Sequence, residues 1–370
     1  MAQNAAPDDA FAISRGMDLL GAAIADWPGL WRRLGDLETD WLADAIGKVE
    51  IEKPIYVCGL ARSGSTILLE LLASLDGVAT HRYRDFPPVF TPYMWNWLLD
   101  RLPKKRSEPV ERGHLDGLLV TPESPEAFEE VIWMAFFPQI HDPAVSNLLD
   151  ARSANPAFER FYGEHLRKIL LTRGGRRYLA KGNYNIARLG YIRKLFPDAR
   201  FLIPVRDPVW HVASLIKQHR LFCEAERRNP RVLAYLRRVG HFEFGLDRRP
   251  INTGADQAVR EIAALWRAGE EVRGSARYWS RIYGYLADTL DVDAKLAEAA
   301  RVVRYEDLCE KPAETLRALL DHCDLTPGDD GLAALSGRIA APSYYTPGFS
   351  PEELDIIAVE TREVAARYGY

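Results

Sequence analysis

Residues 55–66 read Ile-Tyr-Val-Cys-Gly-Leu-Ala-Arg-Ser-Gly-Ser-Thr and run into Ile67-Leu68-Leu69-Glu70-Leu71-Leu72, so an apolar strand turns through two glycines directly into a helix. No other stretch restricts the chain as much. The leading N–H groups of such a helix have no intrahelical partner, and the aligned peptide dipoles place partial positive charge where they point. The turn is therefore expected to hold an anion, a phosphate or a sulfate. An ordinary strand-to-helix turn with a polar N-cap explains the glycines alone. It does not explain Arg62 and the three hydroxyls of Ser63, Ser65 and Thr66 at the same strand end.

Gly59 and Gly64, followed by Ser65-Thr66, keep the glycine frame of a nucleotide phosphate loop, G-x-x-x-x-G-K-S/T, with Ser65 in the place of the lysine. In nucleoside-triphosphate enzymes that lysine reaches the β- and γ-phosphates. A loop without it, but with Arg62, suits a nucleotide whose 5′ position ends in something else. Basic sites here must be local, because 48 Lys and Arg against 52 Asp and Glu leave a net charge of −4. That balance gives no general attraction for nucleic acid or anionic lipid, and no nucleic-acid partner is expected. Cys58, Cys223, Cys309 and Cys323 are scattered without C-x-x-C spacing. Neither a zinc site nor a disulfide framework is expected, and a reducing compartment suits them. No apolar run approaches the roughly 20 residues of a bilayer span, and residues 1–10 lack a signal-peptide core. The expected location is the cytoplasm.

With 370 residues, 47% of them hydrophobic, the chain can bury a sizeable core. It is expected to form a single domain over 1–370: an N-terminal helical extension at 1–50, a nucleotide-binding core at 54–325 with a helical substrate insertion around 86–175, and a C-terminal tail and helix at 326–370. Apolar positions at helical spacing in 11–47, interrupted by Pro28, predict two packing helices. Short β-type segments at 178–180, 201–205 and 301–304 are each followed by a helical pattern, at 185–195, 208–219 and 306–322. This alternation predicts an α/β fold, a P-loop-like three-layer α/β/α arrangement around a mostly parallel sheet of about five strands. Ligands then sit at the carboxyl ends of the strands.

A second strand end supplies further anion-binding groups. Phe201-Leu202-Ile203-Pro204-Val205 leads into Arg206-Asp207-Pro208, and Ser214 follows Arg206 by eight residues. If Pro208 opens the helix, as its fixed φ favours, Ser214 lies about two turns in, where it can share a pocket edge with Arg206. A guanidinium fork gives bidentate, charge-assisted bonds to a phosphate monoester, and a hydroxyl fills a remaining acceptor position. Taken singly, Arg206-Asp207 reads as a surface ion pair of little energetic worth, and Ser214 as a small residue against the sheet.

Together these segments resemble the PAPS-dependent sulfotransferase family, which moves a sulfuryl group from 3′-phosphoadenosine-5′-phosphosulfate to an acceptor. Within it, the chain resembles a bacterial branch similar to the tyrosylprotein and carbohydrate enzymes. Gly59 to Thr66 is similar to the family's 5′-phosphosulfate loop, in the form R-S-G-S/T-T that spans Arg62, Ser63, Gly64, Ser65 and Thr66. Arg206 to Ser214 is similar to its 3′-phosphate element. Val302 to Leu308, followed by Lys311-Pro312 and Thr315-Leu316, is similar to its late strand and helix. The resemblance covers most of the chain and implies PAPS as co-substrate, with no metal. It also accounts for the absent lysine, since PAPS has one phosphate between ribose and sulfate, while its 3′-phosphate needs the second site.

The resemblance implies catalytic roles as well. Lys181, at the end of Arg177-Tyr178-Leu179-Ala180, is expected to stabilise the departing oxygen, in a tripeptide Lys181-Gly182-Asn183 where the tyrosylprotein branch has K-D-P. Arg62 is the second cation. Related enzymes present a catalytic glutamate after their second strand, and Asp85, in Ala79 to Pro88, falls nearest that place. Flanked by Arg82 and Arg84, it is expected to stay ionised, as a proton acceptor must. His114 and His81 are the other candidates for the base, His114 in a long polar loop suited to a substrate lid. Two other readings remain: a P-loop kinase or NTPase, which would lack its lysine, and a non-catalytic nucleotide-binding protein.

The acceptor is left as a small molecule, a lipid or a glycan. Aromatics at Phe86, Phe90, Tyr93, Trp95 and Trp97 read mainly as core, with one or two facing an acceptor. Trp266, Tyr278 and Trp279 are candidates for stacking on adenine. Lys104-Lys105-Arg106 reads as a solvated loop or, alternatively, a contact for an acidic glycan or lipid headgroup.

Overall fold

The computed structural model describes residues 13–103, 108–327, 329–340 and 346–370. Its strands are β1 (Ile55–Val57), β2 (Val78–Ala79), β3 (Val110–Glu111), β4 (Leu119–Val120), β5 (Arg177–Lys181), β6 (Arg200–Val205) and β7 (Ala300–Arg304). Five of them form a parallel sheet in the order β2-β5-β1-β6-β7. Ile55 pairs with Leu179 on one side and Arg200 on the other, and Val205 pairs with Arg304. Both faces of β1 are covered. Ile55 and Val57 bury with Leu68, Leu72 and Leu319, while Tyr56 and Cys58 bury with Tyr178, Phe201 and Ile203. Burial on both faces is why the strand reads as an unbroken apolar run rather than as an alternation.

From β1 the chain moves to the outer β2, returns to β5, then crosses β1 to reach β6 and β7. The direction of winding therefore reverses at β1, and a crevice opens at the carboxyl ends of the strands there. Lys181 closes β5, residues 58–64 follow β1, Arg206 follows β6 and Tyr305 follows β7.

Local sequence explains most helix boundaries. Pro28 stands in the first turn of the Pro28–Trp41 helix, where its missing N–H costs nothing, so it starts a second helix after Arg15–Asp26. Asp207 accepts hydrogen bonds from Val209 N (2.9 Å) and Trp210 N (3.1 Å), capping a helix that runs from Pro208 to Arg228, beyond the expected 219. The helix expected over 306–322 is two, Tyr305–Glu310 and Pro312–His322, because Pro312 cannot continue the first.

The insertion expected to be helical departs more. Between β2 and β5 it carries the helices Pro92–Leu99, Glu129–Phe136 and Pro156–Arg173, and also an antiparallel ribbon in which Val110 pairs with Val120 and Glu111 with Leu119. Two-residue strands are too short to show alternation. The polar loop around His114 is the tip of this ribbon. Lys104-Lys105-Arg106 lies outside the described residues. At the far end of the chain, Tyr368 Oη donates to Tyr283 O (2.7 Å) and Tyr370 Oη to Val205 O (3.1 Å), tying the Pro351–Arg367 helix to the edge of the crevice.

Candidate active site at the strand ends

The turn after β1 needs unusual backbone. Arg62 has φ +72° and Gly64 φ +101°, in the left-handed region that costs a side-chain-bearing residue energy. At Gly64 the demand is also steric, since a Cβ there would sit 2.5 Å from Cδ2 of Tyr305. The loop thus passes directly against the Tyr305 ring. Ser63 and Ser65 are buried in the turn, and the helix Ser65–Ala73 starts there. Thr66 Oγ1 accepts from Arg112 Nη1 at 3.3 Å, which joins the helix start to the ribbon.

Arg62 connects the two anion-binding elements. Its Nε donates to Ser214 Oγ (3.2 Å), and its carbonyl accepts from Arg206 Nη1 (3.5 Å). The Arg206 guanidinium, only 4% exposed as a residue, lies 4.9 Å from the Tyr305 ring centre and 5.9 Å from that of Trp210. Arg62, Arg206 and Ser214 are therefore brought together from β1, β6 and the helix after β6. Asp207, read as a possible ion-pair partner of Arg206, is instead occupied with its helix cap.

The third contact of Arg62 was not foreseen. Its Nη1 lies 2.7 Å from Asp116 Oδ2, and Arg112 grips the same carboxylate through Nη2 (2.5 Å) and Nε (2.9 Å). Burial would raise the Asp116 carboxyl, but the hydrogen bonds and charges of Arg112 and then Arg62 hold it well below the usual carboxylate range.

Beside this loop opens a cavity of about 370 Å³, onto which Arg62, Ser65, Thr66, Lys181, Glu126 and His114 face. Burial lowers the Lys181 ammonium below its ordinary value, with the Glu126 charge opposing the shift. Glu126 is fixed at both ends: its N–H donates to His81 O (3.0 Å), and its Oε1 accepts from Ala127 N (2.7 Å). Tyr83 lies near it, and burial followed by the Glu126 charge pushes that phenol up. His114 packs against the rings of Phe222 (5.1 Å) and His241 (5.7 Å). Burial, then Arg112 and Arg62, hold its imidazole well below the ordinary value, so it is neutral at pH 7.

Asp85 lies elsewhere. It is fully buried and not on the cavity wall. Its oxygens accept from Arg173 Nη2 (2.5 Å), Asn96 Nδ2 (2.8 Å) and Arg82 N (2.9 Å), and His81 Nδ1 is 3.3 Å away. Burial would raise this carboxyl, but His81, Arg173 and Asn96 together hold it far below its ordinary value. Arg82 and Arg84, expected to flank it electrostatically, point to Glu123 and Asp100 instead. His81 is also in the interior, its Nε2 3.0 Å from His165 Nε2. A carboxylate with every oxygen engaged in the core anchors the insertion and cannot reach an acceptor, which corrects its expected place in the site.

The aromatic expectations also change. Trp279 is fully buried with its Nε1 donating to His211 Nδ1 (3.1 Å), Tyr278 Oη accepts from Ile251 N (3.3 Å), and Trp266 stacks under Arg248 (3.9 Å). These are core contacts, whereas Tyr305 and Trp210 stand at the phosphate loop. Glu126, Arg112, Asp116 and Tyr305 all escaped the sequence reading. Only Tyr305 left a usable signal, as the residue immediately after a strand.

A parallel sheet with cationic side chains at adjacent strand ends, over a glycine loop that opens a helix, defines an α/β protein with a cationic crevice at its strand ends. The sequence model of the sulfotransferase family matches residues 54–240, just over half of the chain, and the chain belongs to that family. Sulfuryl transfer is the chemistry that membership assigns to it. Among solved structures, the chain is similar to sulfotransferase STF9 from Mycobacterium avium, at 15% identity over 87% of this chain and 80% of that one, TM-score 0.49. It is also similar to sulfotransferase STF1 from Mycobacterium tuberculosis (15%, 88% and 80%, 0.45) and to the sulfotransferase domain of the curacin biosynthetic pathway (17%, 87% and 99%, 0.41). No curated protein matches it. Among the described residues no group of His, Cys, Asp and Glu is placed to hold a metal ion, the four cysteines are free, and no helix is long and apolar enough to cross a membrane.

Proposed function

We propose that the chain transfers a sulfuryl group from 3′-phosphoadenosine-5′-phosphosulfate to a hydroxyl or amine of an acceptor held in the cavity. The observation that carries this reading is the convergence of Arg62, Arg206 and Ser214 at a loop whose Gly64 has no room for a side chain. The donor brings an activated sulfate at its 5′ end and a phosphate at its 3′ carbon. Backbone N–H groups from Gly64 to Thr66 and the Arg62 guanidinium suit the first, and Arg206 with Ser214 suits the second.

Lys181 faces the cavity from the neighbouring strand end and would donate a hydrogen bond to the bridging oxygen as negative charge builds on it. Donors fixed in advance at a site of developing charge are worth most where water is excluded. Arg62 would hold the sulfuryl oxygens in line with the incoming atom. For the base, Glu126 replaces Asp85. Its carboxylate is on the cavity wall with Lys181, is steadied by Ala127 N, and can take the acceptor proton as the new bond to sulfur forms and the old S–O bond breaks. His114, neutral and on the same wall, would orient the acceptor.

The donor is tested by thermal-shift titration. Adenosine 3′,5′-bisphosphate should stabilise the protein, and adenosine 5′-monophosphate should do so far less. Stabilisation by ATP with magnesium and none by the bisphosphate would overturn the donor assignment in favour of a kinase or NTPase.

A further inference from the structure

Beyond Lys181 and Glu126 one stretch of the cavity wall is apolar and is assembled from several elements. Phe222 comes from the helix Pro208–Arg228, Val232 and Leu236 from Pro230–Val239, Phe128 from the segment before Glu129–Phe136, Val120 from the ribbon and Met17 from the N-terminal helix. Five separate elements thus turn hydrocarbon inward at one place. Polar side chains line the remainder: the transfer end, Tyr83, Tyr235, Asn185, Glu129 and Glu130, and Glu243, whose Oε1 accepts from Asn183 Nδ2 at 2.7 Å and whose Oε2 lies 3.4 Å from His241 Nδ1. The volume of about 370 Å³ is toward the lower end of the roughly 300–1,000 Å³ typical of small-molecule sites.

Resting on the sulfuryl-transfer reading above, we infer that the acceptor is a neutral, hydrocarbon-rich alcohol or phenol with its hydroxyl at Glu126 and Lys181. A sugar carries a hydroxyl on nearly every carbon, and against Phe222, Val232 and Leu236 each would lose its water partners without replacement. An apolar body gains by the same burial. Charge selects in the same direction. The cations at the site sit on the donor side, with Arg112 committed to Asp116, while Glu126 and Glu243 face the acceptor. An acidic acceptor would meet carboxylates in a low-dielectric space and be rejected.

The test uses 4-octylphenol, 1-decanol, a neutral disaccharide and 4-(carboxyoctyl)phenol as probes on the full chain, saturated with adenosine 3′,5′-bisphosphate for the binding measurements and free of it for turnover. Binding is followed by calorimetry and turnover with labelled donor. The phenol or the alcohol should bind and be sulfated, the disaccharide should do neither, and the acid should be at least about 10-fold poorer than its neutral counterpart. Leu236→Trp, which fills the apolar end, should weaken octylphenol binding by about 10-fold or more and leave the bisphosphate affinity unchanged; Val232→Phe serves if the first variant does not fold. Preference for the disaccharide or the acid, failure of both apolar probes to bind, or binding that ignores the filled cavity overturns the inference. Loss of bisphosphate binding by the wild-type protein would instead count against the donor assignment, so the two failures are distinguishable.

Discussion

Asp116 stands between Arg62 and Arg112, with a single oxygen, Oδ2, 2.7 Å from one guanidinium and 2.5 Å from the other. A carboxylate there presents to Arg62 a negatively charged oxygen, as a sulfate would. Under the proposed function, the donor competes with an internal anion for its own ligand. Asp116→Asn keeps the shape and removes the charge. The expected outcome is tighter binding of adenosine 3′,5′-bisphosphate and a lower KM for the donor, by several-fold; weaker binding in calorimetry would mean that Asp116 serves to hold Arg62 in place.

Glu126 and Asp85 are separated by their failure modes. Glu126→Gln should lower kcat by roughly 100-fold or more while donor affinity and melting temperature stay near wild type, the pattern of a lost proton acceptor. Asp85→Asn leaves Arg173 buried without its counter-charge and should destabilise the fold by about 3–5 kcal/mol, the usual cost of breaking a buried pair from one side. Once rates are corrected for the folded fraction, Asp85→Asn should retain most of its kcat. The reverse pattern would return the base to Asp85.

Arg206→Ala should reduce discrimination rather than chemistry. With the guanidinium gone, the affinity for adenosine 3′,5′-bisphosphate should fall by about 10-fold or more, the measured worth of a hydrogen bond to a charged group being ~1.5–3 kcal/mol. Adenosine 5′-monophosphate, which has no 3′-phosphate, should bind much as before. Equal losses for both nucleotides would place Arg206 outside the 3′-phosphate site.

Beneath the phosphate loop, His211 Nε2 lies 2.8 Å from Ala61 O, and its Nδ1 accepts from Trp279 Nε1 at 3.1 Å. A carbonyl can only accept and an indole N–H can only donate, so the neutral ring carries its proton on Nε2. Burial, with only partial relief from the Ala61 hydrogen bond, pushes the pKa down to about 3. The unfolded chain, with a histidine pKa near ~6.5, binds the proton that the folded chain refuses, so stability is full above about pH 6.5 and declines as pH falls toward about 3. This group contributes a loss of about 1.4 kcal/mol per pH unit in that window. Urea melts at pH 7 and pH 5 should show it, and His211→Gln should flatten the difference. An unchanged slope in that variant would assign the acid sensitivity to the other buried histidines.

What the sequence made legible was local. The strand-turn-helix at 55–73 and the interval from Arg206 to Ser214 are encoded within a few residues of themselves, so the parallel sheet and the meeting of Arg62, Arg206 and Ser214 could be anticipated. The ribbon and Glu126 could not. Residues 110–126 carry no hydrophobic period, and Glu126 reaches the cavity because its backbone pairs with His81, 45 positions earlier. Asp85 illustrates the opposite error. Its neighbours in sequence suggested its partners, but a fully buried carboxylate takes the charge that packing brings to it, here from Arg173, 88 residues away.

The reversal of winding at β1 divides the crevice between two sets of chain segments. The loop after β1 and the ends of β6 and β7 bring Arg62, Arg206 and Tyr305, while the long excursion between β2 and β5 brings Glu126, His114 and Val120. A substitution at Val120 or Phe128 reshapes one wall of the cavity without removing the bonds from Arg112 and Asp116 to the loop after β1. Such a scaffold can change its customer while keeping its supplier, and the positions to diversify in a library aimed at new acceptors are Val120 and Phe128, with Arg112, Asp116 and Glu126 kept.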